Sequence, residues 1–354
     1  MDTVNVVSAS DRGIPFTIVT PTRELSGSLR VPFRSGFNAH VEHVRAQNLE
    51  WSLRLGLVPE QDFELIDGLR RCQFEQLAAL VHHGCSREGL ALITNLYTAI
   101  FVLDDMLDDA RSMIGCTVEL AGHVAEYLCA AIADEPRPQL RPDIPSYERV
   151  VAVGDAFADL ATRLSAHEAP VSFERYVEGM RSYLVGCVME SQKRVIRVRT
   201  ISDYVDVRLR ISAVYPCLDS GAIVEDCSVP ASVWNDPAFR KMRMACNLCV
   251  SYVNDVFSYA KESQAGEFSN IVTVHRLVHD MELDQALAAS IEMNDRVVAD
   301  YLEAKRVLCD RHVITRPTRR YIRLMENWMR GNFDWYHQQR TDRYTQYLTT
   351  AIPA

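Results

Sequence analysis

Leu90-Ala-Leu-Ile-Thr-Asn-Leu-Tyr-Thr-Ala-Ile-Phe-Val-Leu-Asp-Asp-Met-Leu-Asp-Asp109 is the stretch whose reading decides the fold class. From Leu90 to Leu103 it is apolar nearly all round, the pattern of a helix at the centre of a helical bundle. It then runs straight into aspartates. Asp104 and Asp108 are four residues apart, so on a helix they share one face, about 6 Å apart along the axis. Asp105 flanks them. Like charges at this spacing weaken an isolated helix by a few tenths of a kcal/mol, and burying several carboxylates without partners is prohibitive. Bound divalent cations remove the difficulty. An all-oxygen ligand set suits Mg2+, which keeps waters and takes one or two carboxylates plus phosphate oxygens. The blander reading is a solvated acidic helix end.

Outward from this segment the pattern stays helical. Leu49, Leu53 and Leu57 recur every four residues, and Leu77, Leu80 and Val81 sit at three-four spacing. Asp134 to Ser146 carries Pro136, Pro138, Pro142 and Pro145, so it reads as a connection. Helical patterning resumes at Tyr147 and continues through Val198. Ile201-Ser202-Asp203 offers a helix start, Pro216 and Gly221 break or kink the next stretch, and Val229-Pro230 introduces another helix. Phe239 to Lys261 reads as one long helix, Gly266 to Asn270 as a loop, and Asp284 to Cys309 and Pro317 to Tyr336 as two more helices. There are no repeats and no strands alternating with crossover helices. The expected architecture is all-α, with residues 1–30 a flexible arm, 31–345 one domain and 346–354 a tail.

Composition narrows the function. The 354 residues are 48% hydrophobic and 24% charged, ordinary for a globular chain with a large core. A formal net charge of -9 leaves no basic excess to displace counterions from a nucleic acid. It does not exclude a diphosphate held through divalent cations. Met1 to Gly13 is polar, unlike a signal peptide. Leu90–Leu103 is too short to cross a bilayer. Most of the ten cysteines (among them Cys129, Cys187, Cys246, Cys249 and Cys309) sit in apolar helical segments as small core residues. Cys246-x-x-Cys249 lacks a second pair at zinc spacing. A soluble, reducing, cytoplasmic setting without stable membrane association is the expectation.

A second motif stands about 150 residues after the aspartates. Val253-Asn-Asp-Val-Phe-Ser-Tyr-Ala-Lys-Glu262 places Asn254, Ser258 and Glu262 at i, i+4 and i+8, one polar stripe on an otherwise apolar helix. An amide oxygen, a hydroxyl and a carboxylate in line can chelate one hard cation, and Lys261 beside them suits a phosphate oxygen. Taken alone, the stripe could be an ordinary polar face.

Asp-Asp-x-x-Asp followed by Asn-Asp-x-x-Ser-x-x-Lys-Glu resembles the bacterial class I terpene synthases, over about Pro32 to Tyr344. The resemblance implies a single-domain α-helical bundle around a central cavity, with three Mg2+ ions (Mn2+ able to substitute) binding a prenyl diphosphate at its mouth. It makes Asp104 and Asp108 ligands on one wall with Asp105 in support, and Asn254, Ser258 and Glu262 the chelate on the other. Tyr204-Val-Asp-Val-Arg208 matches the family's diphosphate-sensing arginine, with Arg210 a nearby competitor. Ile211 and Ser212, or Ala213 if the register slips, fall at the linker and effector positions, without the family's frequent glycine. Gly331-Asn-Phe-Asp-Trp335 and Arg343-Tyr344 resemble the closing Trp and Arg-Tyr pair, whose Arg and Tyr reach diphosphate. Asn38-Ala39 resembles an Asn-Pro near the start of the core.

Tyr97 and Phe101 lie seven and three residues before Asp104 on its helix face, so they should line the cavity below the metals, with Trp335 a candidate for the same wall. A ring facing a carbocation stabilises it by about 0.5 to 2 kcal/mol; core packing is the equal alternative. His275 and His279 read as helix surface. There is no glycine-rich phosphate loop and no nucleophile elbow. The expected reaction is Mg2+-dependent ionisation of farnesyl diphosphate and cyclisation to a sesquiterpene, ended by bound diphosphate as base or by a trapped water. Geranylgeranyl diphosphate is the alternative substrate. A chain-elongating prenyltransferase would want a second aspartate-rich motif at Asn254–Glu262, and a helical scaffold gives no reason for the polar stripe. Relatives are often homodimers.

Overall fold

A computed structural model describes residues 13–19, 24–108, 117–195, 200–265 and 269–337. In chain order these form β1 (Ile14–Val19), β2 (Glu24–Leu29), α1 (Val41–Arg54), α2 (Phe63–Cys72), α3 (Phe74–Val81), α4 (Arg87–Asp108), α5 (Val118–Ile132), α6 (Tyr147–Ser165) and α7 (Pro170–Val195). There follow α8 (Ile201–Ile211), α9 (Val214–Val224), α10 (Ala231–Trp234), α11 (Pro237–Ala265), α12 (Ile271–His279), α13 (Leu283–Arg311) and α14 (Arg316–His337). Among the described residues the architecture is all-α apart from one hairpin.

The core is continuous and runs through the bundle. Helix α4 sits within it, touching α1, α3, α6 and α9. By length and composition Arg87–Leu107 could cross a membrane, longer than the apolar run alone suggests, but 72% of its window is buried inside the protein. It is the core helix of the bundle. Helix α11, with the second motif, packs against α13, α14, α12 and α8. Local chemistry fixes the helix starts. Thr117, Thr200 and Asn270 each accept a first-turn N–H at the start of α5, α8 and α12. The proline-rich stretch 134–146 is the connection between α5 and α6, as expected.

Residues 14–19 and 24–29 are not part of a flexible arm. Ile14 pairs with Leu29 and Phe16 with Gly27 in an antiparallel hairpin. Phe16, Ile18 and Leu29 are buried, β2 lies on α13, and the Phe16 ring sits 5.4 Å from that of Phe257 on α11. The alternation Ile14, Phe16, Ile18 is too short to stand out, and the partner surface comes from more than 200 residues away. The boundary at 345 and the tail 346–354 lie outside the described residues.

Three other expectations are corrected. The run Tyr147–Val198 is two helices, parted at 166–169, with Pro170 opening α7, where its missing N–H costs nothing. Pro216 does not break a helix: it lies in the first turn of α9, and the break comes earlier, at Ser212 and Ala213, where Ala213 takes φ +56°. Cys309 is exposed rather than core. Cys246 and Cys249 are fully buried, their thiols pushed up by burial, as core residues should be.

Candidate active site

One cavity of about 1130 Å³, open mouth included, brings the sequence motifs together. Asp104, Phe101 and Tyr97 reach it from α4, Arg208 and Ile211 from α8, and Asn254, Lys261 and Glu262 from α11. Ser212, Ala213 and Val214 line it at the α8–α9 break. Trp328, Asn332 and Tyr336 close it from α14. The charged residues of the wall are those of the two motifs, Arg208 and Glu190; Ser212, Ser251, Ser269 and Asn332 add neutral polar groups, and the rest of the wall is largely apolar and aromatic. Tyr97 and Trp328 pack with ring centroids 5.3 Å apart.

The second motif is tied to α8 by one carboxylate. Arg208 Nη2 lies 2.6 Å from Asp255 Oδ1, and Tyr204 donates its hydroxyl to Asp255 Oδ2. Spacing explains the pairing: Tyr204 and Arg208 are four apart on α8, so both face α11. The backbone N–H of Ile271 donates to the same Oδ2 at 2.6 Å. Burial is the largest influence and works against the Arg208 charge, but Asp255, Tyr204, Glu262 and Glu190 together outweigh it and hold the guanidinium above its ordinary value. Arg208 also donates to Asn254 Oδ1, and Asn254 Nδ2 donates to the Tyr336 hydroxyl at 2.6 Å. Asn270, the cap of α12, donates to Glu262 Oε2 at 2.8 Å. Ser258, between Asn254 and Glu262 on the stripe, is fully buried, and its Oγ has no hydrogen-bond partner among the described residues. A buried orphan hydroxyl is costly and fits a hard cation as its partner. Among the described residues no three His, Cys, Asp or Glu side chains form a ready-made metal cage. Asp104 on α4 and Asn254 and Glu262 on α11 line the same cavity, while Ser258 is not on its wall.

The remaining predicted residues divide. Asp105 is exposed and off the cavity wall. Asp108 ends α4, and its side chain lies outside the described residues, as do Arg343 and Tyr344 altogether. Arg210 is exposed and donates to Ser182 at 3.2 Å, so Arg208 is the arginine that faces the site. Ser212 lines the cavity and donates to Asn247 Oδ1 at 2.9 Å.

Trp335 is corrected: it is buried behind Phe101, centroids 5.9 Å apart, and donates to the Gln73 carbonyl at 3.2 Å. Within Gly331–Trp335, Gly331, Asp334 and Trp335 dock α14 on its neighbours, and Asn332 lines the cavity. A Cβ at Gly331 would come within 2.7 Å of the Leu80 carbonyl oxygen, and the buried Asp334 accepts from Ser35 Oγ at 2.6 Å. His275 is buried, not surface. Asn38 is buried too, donating to the His82 and Cys85 carbonyls.

Sequence reading missed Glu190, Tyr183, Trp328, Asn332 and Tyr336, all on the cavity wall. Trp328, Asn332 and Tyr336 do recur at i, i+4 and i+8, the stripe spacing that picked out Asn254, Ser258 and Glu262. Glu190 carried no local signal.

Comparison with known proteins gives the family and the fold. The family described as "Terpene synthase family 2, C-terminal metal binding" matches residues 95–300. The chain is 26% identical over 307 residues to the (+)-T-muurolol synthase ((2E,6E)-farnesyl diphosphate cyclizing) of Roseiflexus castenholzii, covering 86% of this chain and 90% of that protein. It is 27% identical over 298 residues to the 10-epi-cubebol synthase of Sorangium cellulosum, covering 81% and 88%. Its fold matches germacradien-4-ol synthase from Streptomyces citricolor with a TM-score of 0.73 at 22% identity, over 87% of this chain and 99% of that one.

Proposed function

The chain belongs to the bacterial class I terpene synthases, within terpene synthase family 2, and from that premise we propose that it ionises farnesyl diphosphate with Mg2+ and cyclises the cation to a sesquiterpene. The observation that carries the reading is that Asp104, Asn254, Glu262, Lys261 and Arg208 line one cavity together with the aromatic rings of Tyr97, Phe101 and Trp328. The relatives' names support farnesyl diphosphate as substrate.

Asp104, with Asp105 and Asp108, and the set Asn254, Ser258 and Glu262 would hold the Mg2+ ions. Bound there, Mg2+ neutralises charge on the departing diphosphate. Arg208 and Lys261, joined by Arg343 and Tyr344, donate to diphosphate oxygens as negative charge grows on them. Arg208 makes this contact by trading acceptors on Asn254 and Asp255 for phosphate oxygens, so it stays charged and paired throughout. The apolar wall folds the prenyl chain into a reactive conformation. Tyr97, Phe101 and Trp328 turn ring faces to the cation, each worth about 0.5 to 2 kcal/mol.

The test is incubation of purified protein with Mg2+ and, separately, geranyl, farnesyl and geranylgeranyl diphosphates, with extracts read by gas chromatography and mass spectrometry. A cyclic fifteen-carbon hydrocarbon or alcohol from farnesyl diphosphate is expected. A cyclic product from geranylgeranyl diphosphate alone would move the chain to the diterpene synthases. Intact substrate in every tube, with folded protein, would overturn the reading.

A further inference from the structure

Two turns below Asp104 on α4, Tyr97 lines the cavity and heads a chain of three side chains. Its hydroxyl lies 2.7 Å from His82 Nε2, and His82 Nδ1 lies 2.7 Å from Glu225 Oε1. The His82 side chain is 0% exposed and that of Glu225 13% exposed, so the chain leads from the cavity to the surface. The proton arrangement follows from the acceptor. A carboxylate has no proton to give, so Nδ1 carries the imidazole hydrogen and Nε2 accepts from the phenol.

The fold makes room for this chain. A Cβ at Gly221 on α9 would come within 2.6 Å of His82 Cε1, so only glycine lets α9 close over the ring. Asn38 Nδ2 anchors the His82 carbonyl at 2.9 Å. A buried imidazole in an apolar core needs both ring nitrogens paired, and this one has both. Ionisation has no use for it: Tyr97 is seven residues from Asp104, a helical rise of about 10 Å, away from a diphosphate bound at the mouth. A cation formed at the floor needs a local base.

Resting on the terpene synthase reading above, we infer that Tyr97 is the base that ends the carbocation cascade, with His82 and Glu225 as its relay. The C–H bond beside the cationic carbon breaks, and its electron pair becomes the new C=C bond. The proton passes to the Tyr97 oxygen while the phenolic proton passes to His82 Nε2. One positive charge stands before the step, on carbon, and one after it, on an imidazolium paired with Glu225. The imidazolium gives up its extra proton through Glu225 to solvent. Burial holds the Tyr97 hydroxyl well above its ordinary value, so it acts as a neutral phenol coupled to His82, never as a free phenolate.

Tyr97→Phe and Glu225→Gln test the assignment, each incubated with Mg2+ and farnesyl diphosphate. Diphosphate release reads ionisation, and product composition reads the quench. The main wild-type product should lose about tenfold or more of its share in Tyr97→Phe, giving way to other alkene isomers or alcohols. Glu225→Gln should shift the share in the same direction, although Glu225 is off the cavity wall. In D2O the wild-type share of that product should also fall, because relay protons move in the step, and Tyr97→Phe should lose this sensitivity. A purely structural phenol would not produce a solvent isotope effect on product ratio. If Tyr97→Phe fails to fold, the isosteric Glu225→Gln and the D2O experiment decide. Folded variants with wild-type product composition, or no D2O effect, overturn the relay. A wild-type protein that releases no diphosphate overturns the function reading and the relay with it.

Discussion

Asp255, inside the Asn254–Glu262 motif, joins it to the Tyr204 and Arg208 pair that the sequence presents separately. One of its oxygens pairs with Arg208 at 2.6 Å and the other accepts from Tyr204. The Tyr-x-x-x-Arg spacing is therefore a device for presenting a phenol and a guanidinium to one buried carboxylate. Removing the phenol by Tyr204→Phe leaves that carboxylate short of a donor and should cost about 1–3 kcal/mol of stability, read by urea or thermal unfolding. Arg208→Lys keeps the charge but loses the planar fork, and should lower kcat/KM by about a hundredfold. Asp104→Ala should nearly abolish turnover while the helical circular dichroism stays intact; an active variant would remove Asp104 from the metal site. Much of this was legible, because i, i+4 spacing on a helix is a local rule. Trp335 and His275 were misplaced because neither has a local rule saying which neighbour covers it.

The decisive element is the junction of α8 and α9. Its break falls at Ser212 and Ala213, with Ala213 at φ +56°, and both residues line the cavity. An alanine in that region carries strain that glycine avoids. Ala213→Gly should therefore stabilise the fold by about 0.5 kcal/mol net of the extra chain entropy, seen as a raised Tm, and should alter the product mixture by loosening the wall. The hairpin is the other element with consequences. Phe16 is buried against Phe257, next in sequence to Ser258. Phe16→Ala should destabilise by about 3 kcal/mol, with denaturant midpoints as the measure. The helices were readable from periodicity over two to about eight turns, whereas a six-residue strand pairing only with its neighbour offers too little pattern.

At the scale of the whole molecule, the site exists because α4, α8, α11 and α14 enclose one cavity. If Mg2+ and diphosphate bind there together, they stabilise the folded state by mass action, about 2.7 kcal/mol at a hundredfold excess over Kd. A thermal shift that needs both, and is lost with a chelator, is the expected outcome; a shift with neither would count against a metal-bridged site. The sequence by itself determined the helical class and the helix-face spacing of the aspartates, of Asn254, Ser258 and Glu262, and of Tyr204 and Arg208, because each depends on spacing along a single helix. Only the tertiary structure decided which aromatics line the cavity, that Gly331, Asp334 and Trp335 dock α14 while Asn332 between them lines the cavity, that the strands at 14–19 and 24–29 belong to the body, and that His82 and Glu225 stand behind Tyr97. These are contacts between segments up to hundreds of residues apart. Their partners are set by packing, which no local pattern encodes.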